Sequence, residues 1–233
     1  MIMKRVAILI IFSLFCFTVH AQSGYIKVSK GKVVEGDFFK SKIFMLKNFT
    51  NAVVKFSNGE VYEAKMNISA LSQTLRFINP SGDTLAAVDE KMISSVSSGR
   101  LLFFKVNNQY VQILNTDGET SLGLTRNLNI GAESLAGAYG GKNEVSSIQK
   151  IEVFDYEKKI EKVVSDATLF FDYRENLFIV HKGKLFLFTK RNLQKFYPKQ
   201  KAFIEEFYST HSVNQNNNAE IISLYSQIVS YNR

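Results

Sequence analysis

The residues whose types and spacing point most clearly to chemistry form a basic segment between positions 182 and 201. This segment carries seven cations and no acid, and aromatic residues are interleaved with the cations. The cations are Lys182, Lys184, Lys190, Arg191, Lys195, Lys199 and Lys201. Because closely spaced cations attract anions, the functional interpretation of the basic segment is a surface for an anionic glycan, a lipid headgroup or nucleic acid. Charge runs more often form a solvated face, here with the aromatic side chains pointing into the core, and for the segment alone this interpretation is preferred.

A second candidate for binding lies in residues 127–147, which are rich in glycine, serine, alanine and asparagine. Residues 137–141 at its centre read Gly-Ala-Tyr-Gly-Gly. Loops of this length inside a compact domain are usually functional or disordered, so Tyr139 is a candidate binding residue. A buried Tyr139 that plugs the core is the alternative.

The motifs of common catalytic and metal sites are incomplete in this sequence. Residues 140–143 read Gly-Gly-Lys-Asn, but Ala136 stands where a phosphate-binding loop has its first glycine, and Asn143 replaces its final Ser or Thr. A Gly-x-Ser-x-Gly elbow is absent, and a zinc site would require His181 and His211 to converge with carboxylates. We therefore predict no metal ion, no cofactor and no catalytic residue.

An enzyme is the alternative class, because paired carboxylates from different strands leave no spacing signature in a sequence. The acids considered are Asp155, Glu157, Asp166, Asp172 and Glu175. A buried pair of them in a pocket would indicate an envelope hydrolase, whereas an exposed basic and aromatic surface would indicate a binding protein.

The first 21 residues have the three parts of a secretory signal peptide. Basic residues at 4–5 precede an apolar run over residues 6–17, and Val19 and Ala21 occupy the −3 and −1 positions of a cleavage site. This pattern predicts cleavage before Gln22 and a periplasmic or secreted location. The apolar run is too short to span a bilayer comfortably, and no transmembrane segment is expected after cleavage.

Composition narrows the class further. Cys16 is the only cysteine and lies in the leader, so the exported chain is expected to lack disulfides and to depend on packing alone. Loss of the leader lowers the formal net charge from +8 to about +6. Twenty Phe, ten Tyr and only two Pro favour an aromatic, strand-rich core.

Turn-forming pairs between β-prone runs predict the fold. Asn58-Gly59 lies within residues 53–64 and tolerates the positive φ angles of a type I′ turn, which predicts a hairpin. Further turns are predicted at residues 79–83, 107–108, 116–118 and 181–184, and residues 94–99 are predicted to link two subassemblies. Strands are predicted over residues 25–28, 32–36, 71–78, 84–88, 101–106, 109–114, 119–124, 148–154, 167–173, 177–180 and 185–188. The first two of these strands are predicted to lie at sheet edges. The strand at 109–114 is predicted to be buried mostly on one side.

The C-terminal part has helical periodicity. Thr189 can cap a helix over residues 190–196, and Pro198 suits the first turn of a helix over residues 199–208. A final amphipathic helix, capped by Asn217 or Asn218, is expected to pack on the sheet through Ile221, Leu224, Tyr225 and Ile228. The predicted class is α+β, mainly β: an antiparallel meander forming a partly open barrel or sandwich over residues 22–188, with a helical tail over residues 189–233.

Three short stretches carry a resemblance to other proteins. They are Tyr110-Val111-Gln112-Ile113-Leu114 followed by Asp117-Gly118, then Gly137-Ala138-Tyr139-Gly140, and then Leu193-x-x-Phe196-Tyr197-Pro198-Lys199-x-Lys201. Together with the leader end at Ala21-Gln22, they make the chain resemble uncharacterised exported proteins of Bacteroidetes-type Gram-negative bacteria. The resemblance implies export and a β-domain with a helical tail, and it implies no catalytic residue.

The sequence therefore predicts a non-enzymatic binding or interaction protein of the bacterial cell envelope. The predicted partner is an anionic envelope component or another envelope protein, and no nucleic acid is expected. The predicted contact residues are Lys182, Lys184, Lys190, Arg191, Lys195 and Tyr139.

Overall fold

A computed structural model describes residues 22–29, 32–132, 167–211, 213 and 217–231. The predicted leader, the glycine-rich centre with Tyr139 and the strand predicted at residues 148–154 lie outside these ranges. The acids Asp155, Glu157 and Asp166 also lie outside them.

The described strands form one open antiparallel sheet, followed in the chain by helices. In sheet order the strands are β2 (Lys32–Glu35), β1 (Gln22–Ser29), β11 (Ala167–His181), β10 (Thr120–Ala132), β9 (Gln109–Asp117), β8 (Leu101–Val106), β7 (Ile93–Ser98), β3 (Thr50–Phe56), β4 (Val61–Ile68), β5 (Leu75–Ile78) and β6 (Thr84–Ala86), and β12 (Lys184–Leu187) also pairs with β11. The helices are α1 (Asp37–Lys42), α2 (Lys190–Phe196), α3 (Lys201–Thr210) and α4 (Asn218–Ser230). The mainly antiparallel β class with a helical tail is thereby confirmed.

The longest strand, β11, organises one half of the sheet. It pairs with β10 from Leu169 to His181, so β10 occupies one of its two edges. The other edge is shared by β1, which pairs with the first half of β11, and by β12, which pairs with the last residues. The sequence predicted two strands here, at residues 167–173 and 177–180. Residues 174–176 are polar but belong to the same strand, in which Glu175 meets Arg126 across the ladder.

The hairpin turns follow the predicted positions, but the turn types differ. At Asn58-Gly59 only Gly59 has a positive φ, of 91°, and Phe56 N donates to Glu60 O at 2.9 Å. The loop therefore has three residues with glycine in the last position, and the predicted type I′ turn is wrong. The type I′ geometry occurs instead at Asn107-Asn108, where the φ angles are 50° and 62°. Asparagine tolerates this left-handed region better than most residues do.

Several boundary predictions are corrected by the structure. Residues 94–99 were expected to be a link, but residues 93–98 form strand β7, which pairs with both β3 and β8. β5 begins only at Leu75, because residues 69–74 turn inward, and β10 continues through residues 127–132, which were assigned to a loop. β1 is an interior strand between β2 and β11 rather than an edge. Helix α1 was not predicted from the sequence.

The sheet curves so that distant strands meet. Leu128 N, on β10, donates to Ala70 O at 3.0 Å, although Ala70 follows β4, which is five strands away. The enclosed inner face holds three apolar clusters: one beneath the C-terminal helices, one beneath α1, and one on β3–β9. The curvature therefore gives a single sheet an inner core of its own.

The opposite face is also covered in one place. Tyr110 and Val111 are successive residues of β9 and both are 0% exposed, so this strand is not buried mostly on one side as predicted. Val111 packs with Val106 and Val180 on the outer face. This packing is possible because Gly123 lies beneath it: a Cβ there would be 2.5 Å from Val111 Cγ1 and 2.6 Å from Val180 Cγ2.

The C-terminal helices cover one end of the inner face, as predicted. Thr189 Oγ1 accepts a hydrogen bond from Asn192 N at 3.3 Å, and Asn217 Oδ1 accepts one from Glu220 N at 3.3 Å, so both expected caps are present. The predicted stripe of α4 is fully buried and packs with sheet residues Leu122 and Ile179.

We expect Gly123→Ala to destabilise the protein by about 1–3 kcal/mol, because the added methyl group overfills the space between two valines. Gly131→Ala is the matched control, since it lies on the same strand and a Cβ there meets nothing within 4 Å. Urea unfolding of both variants measures the difference. Equal stability of the two variants would contradict the proposed packing on the outer face.

Candidate functional site

The basic segment is carried by the β11–β12 hairpin and by the helices that follow it. Lys182 and Gly183 form the turn, with φ angles of 48° and 71°, and this turn places Lys184 directly opposite His181. Arg191 and Lys195 are exposed and lie four residues apart on α2, so they occupy one helix face.

Acids from other parts of the chain neutralise two of the predicted contact residues. Lys182 Nζ lies 3.1 Å from a carboxylate oxygen of Glu119, which precedes β10. Lys190 Nζ lies 3.4 Å from Glu205 on α3. The sequence shows no acid within the basic segment, so neither pair could be foreseen.

The remaining contact residues have no acid partner in the part of the chain that the structure describes. These residues are Lys184, Arg191 and Lys195, and all three are exposed. We refer to them as the open cations.

The interleaved aromatic residues divide into two groups. Phe188 and Tyr197 are 3% exposed and point into the core, as the alternative interpretation requires. Phe186 and Phe196 are half-buried, with ring centroids 4.9 Å apart, and Lys195 Nζ lies 5.3 Å and 5.2 Å from the two centroids. This cation–π geometry favours a position of the Lys195 ammonium group near the two rings by about 0.5–1 kcal/mol, the range for exposed sites.

His181 is a neighbour of this aromatic pair that the sequence did not connect with binding. Its ring centroid is 4.7 Å from that of Phe196, and its Nδ1 is 2.9 Å from Thr120 Oγ1. His211, by contrast, stacks on Phe207 at the end of α3, with centroids 4.2 Å apart. Among the described residues no group of three or more His, Cys, Asp or Glu side chains could hold a metal ion.

A second set of ionisable residues lies on the inner face of the sheet. Glu90 accepts hydrogen bonds from Lys105 Nζ, from Leu75 N and, at 2.9 Å, from the Tyr110 hydroxyl. The side chains of Lys105 and Glu90 are only 9% and 19% exposed. Burial and the adjacent Glu90 carboxylate both raise the pKa of Tyr110, so its hydroxyl remains a donor.

A similar arrangement is repeated two strands away. Arg126 Nε donates to Glu175 Oε1 at 3.1 Å, and the Tyr173 hydroxyl donates to the same oxygen at 2.7 Å. Burial, followed by Glu175, raises the pKa of Tyr173. Each of the two inner-face glutamates is thus already bound by one cation and one tyrosine.

Of the five acids considered for hydrolysis, the structure describes Asp172 and Glu175. They are three residues apart in one strand, so their side chains point to opposite faces of the sheet. Asp172 is bound by Arg174 Nε at 2.6 Å and Glu175 by Arg126. These two acids therefore do not form the carboxylate pair that a hydrolase would need.

No family model, curated protein or solved structure matches the chain. Within the described ranges, none of the helices has the length and apolar character needed to cross a membrane.

We expect Lys105→Met to destabilise the fold by about 3 kcal/mol, because it leaves the largely buried Glu90 carboxylate without its cation. Lys27→Met is the matched control, since it removes a lysine from an ion pair whose side chains are 59% and 66% exposed, and its effect is expected to stay below about 1 kcal/mol. Thermal and urea unfolding measure both. A loss no larger than that of the control would mean that the inner ion pair is not needed for stability.

Proposed function

We propose that this chain is an exported, non-enzymatic protein of the bacterial cell envelope that binds an anionic envelope component through the open cations. The observation that supports the proposal is that Lys184, Arg191 and Lys195 are exposed without acid partners in the described chain, and that Lys195 lies over Phe186 and Phe196. A preorganised cation loses less conformational freedom when it meets an anion than a free lysine does.

The inner-face acids give an enzyme less support. Glu90 and Glu175 are each engaged by a cation and a tyrosine hydroxyl, an arrangement that holds strands together and leaves neither of these two carboxylates unpaired. The basic segment, in contrast, presents three exposed cations without acid partners in the described chain. Binding through that surface is therefore the function that the geometry favours.

The first test changes the open cations together. Lys184, Arg191 and Lys195 are replaced by Gln, and retention on a sulfated or phosphorylated polymer matrix is measured as salt is raised. A cation near an anionic surface contributes about 1 kcal/mol, so the triple variant should bind about 100-fold more weakly. Its melting temperature should be unchanged, since exposed charges add little to folding.

The matched control replaces Lys55, Lys65 and Arg100 by Gln. These two lysines and one arginine are exposed, and the described chain gives them no ion pair, so the loss of charge is identical. If the control variant loses as much retention as the test variant, binding follows net charge alone and the localised surface does not exist.

The second test concerns export. The leader pattern predicts a mature chain that begins at Gln22, because Val19 and Ala21 suit the cleavage site. The intact mass of protein recovered from the envelope fraction of a Gram-negative host should correspond to residues 22–233. A mass that retains the first 21 residues, or recovery from the cytoplasm alone, would contradict the proposed export.

A further inference from the structure

The position of His181 beside the open cations suggests a role that extends the proposed function. Cross-strand pairing places Asp117, Thr120, His181 and Lys184 in one row across β9, β10, β11 and β12. Side chains paired in this way lie on the same face about 5 Å apart. His181 is thus the direct neighbour of Lys184 on the sheet.

Helix α2 also packs against His181. Phe196 packs against the His181 ring, and Lys195 Nζ lies over the Phe196 ring. His181 is therefore connected with two of the three open cations: it pairs with Lys184 across the sheet, and it shares the Phe196 ring with Lys195.

The charged groups around His181 determine how it responds to a ligand. On β12 it pairs with Lys184, and Lys182 follows it in the turn. On α2 the charged neighbour is Lys195, which lies over the same Phe196 ring that His181 contacts. On the β9–β10 side the acids are Glu119, which is paired with Lys182, and Asp117, which lies two strands from His181 in the row. A polyanion bound at the open cations would bring negative charge close to His181, and an opposite charge within about 4–6 Å favours the charged form of a histidine.

We propose that His181 is a pH-dependent cation of the anion-binding surface and that it takes up a proton when a polyanion binds. This inference rests on the proposed function. Histidine is the side chain whose charge ordinarily changes between about pH 5 and 8. The contact with Thr120 suits both states, because a hydroxyl can donate to a neutral ring nitrogen or accept from a protonated one. By linkage, proton uptake on binding means that the polyanion binds more tightly at lower pH.

The experiment uses dextran sulfate, whose sulfate esters stay ionised throughout this pH range, so that any pH dependence belongs to the protein. Binding to the full chain is measured by calorimetry at pH 5.5 and pH 8, at several salt concentrations. One added unit charge about 4 Å from an anion in water strengthens binding about fivefold. For the unaltered protein we expect about fivefold tighter binding at pH 5.5 than at pH 8. The dependence of log affinity on log salt concentration should also be steeper by about one released counterion at pH 5.5.

Two variants show which histidine causes the pH dependence of binding. His181→Gln should bind equally at both pH values, whereas His211→Gln, which alters the histidine stacked on Phe207, should keep the fivefold difference. A direct readout that needs no variant is the imidazole signal of each histidine in nuclear magnetic resonance. The titration midpoint of His181 should move to higher pH with dextran sulfate, and that of His211 should not.

The possible results separate this inference from the function on which it rests. Binding that depends on the open cations but is equal at both pH values leaves the proposed function standing and overturns the role of His181. A pH dependence that survives in His181→Gln, or an unmoved His181 midpoint, overturns it as well. Absence of any binding to dextran sulfate at either pH overturns both.

Discussion

Gln73 ties three neighbouring strands to the loop that follows β4. Its side-chain oxygen accepts from Tyr110 N at 3.1 Å, and its side-chain nitrogen donates to Ala70 O at 3.0 Å and to Arg126 O at 2.8 Å. Its backbone oxygen accepts from Lys105 Nζ at 3.0 Å. Gln73 has a φ of 53°, which is unusual for a residue other than glycine, and this conformation persists because so many hydrogen bonds determine it. The curvature that brings β10 to Ala70 depends on this residue.

The ion pairs on the inner face follow from that curvature. Once the loop is drawn inward, Lys105 and Arg126 lie where water is largely excluded, and each needs a carboxylate. Glu90 and Glu175 meet this need, and Tyr110 and Tyr173 satisfy further lone pairs of the same carboxylates. A polar set of this kind fixes one arrangement of strands more strictly than an apolar core does, because any other register would leave a charge unpaired. The two inner ion pairs therefore contribute to the register of the strands that they join.

The parts of the fold that the sequence predicted are those set by residues close to one another in the chain. The turn at Asn107-Asn108, the Thr189 cap and the buried stripe of α4 all depend on local propensity or on helical period. The inward turn at Gln73 depends instead on contacts with β8, β9 and β10, which no local pattern reveals. The same reason explains the candidate site: the cations were visible as a run, but Glu119 and Glu205, which neutralise two of them, come from other elements. The contact of His181 with Phe196 likewise joins two elements, β11 and α2, and the sequence does not reveal it.

The pairing of β1 with β11 has a consequence for how the chain reaches this structure. Gln22 pairs with Tyr173 and Val28 with Ala167, so the partners are 139 to 151 positions apart. During synthesis β1 can pair at once only with β2, and its other edge stays open until β11 has been made. Contacts of such long range make folding slow, and an open strand edge can join another chain in the meantime. A chaperone that shields this edge of β1 until β11 is available would therefore protect the nascent protein from association with other chains.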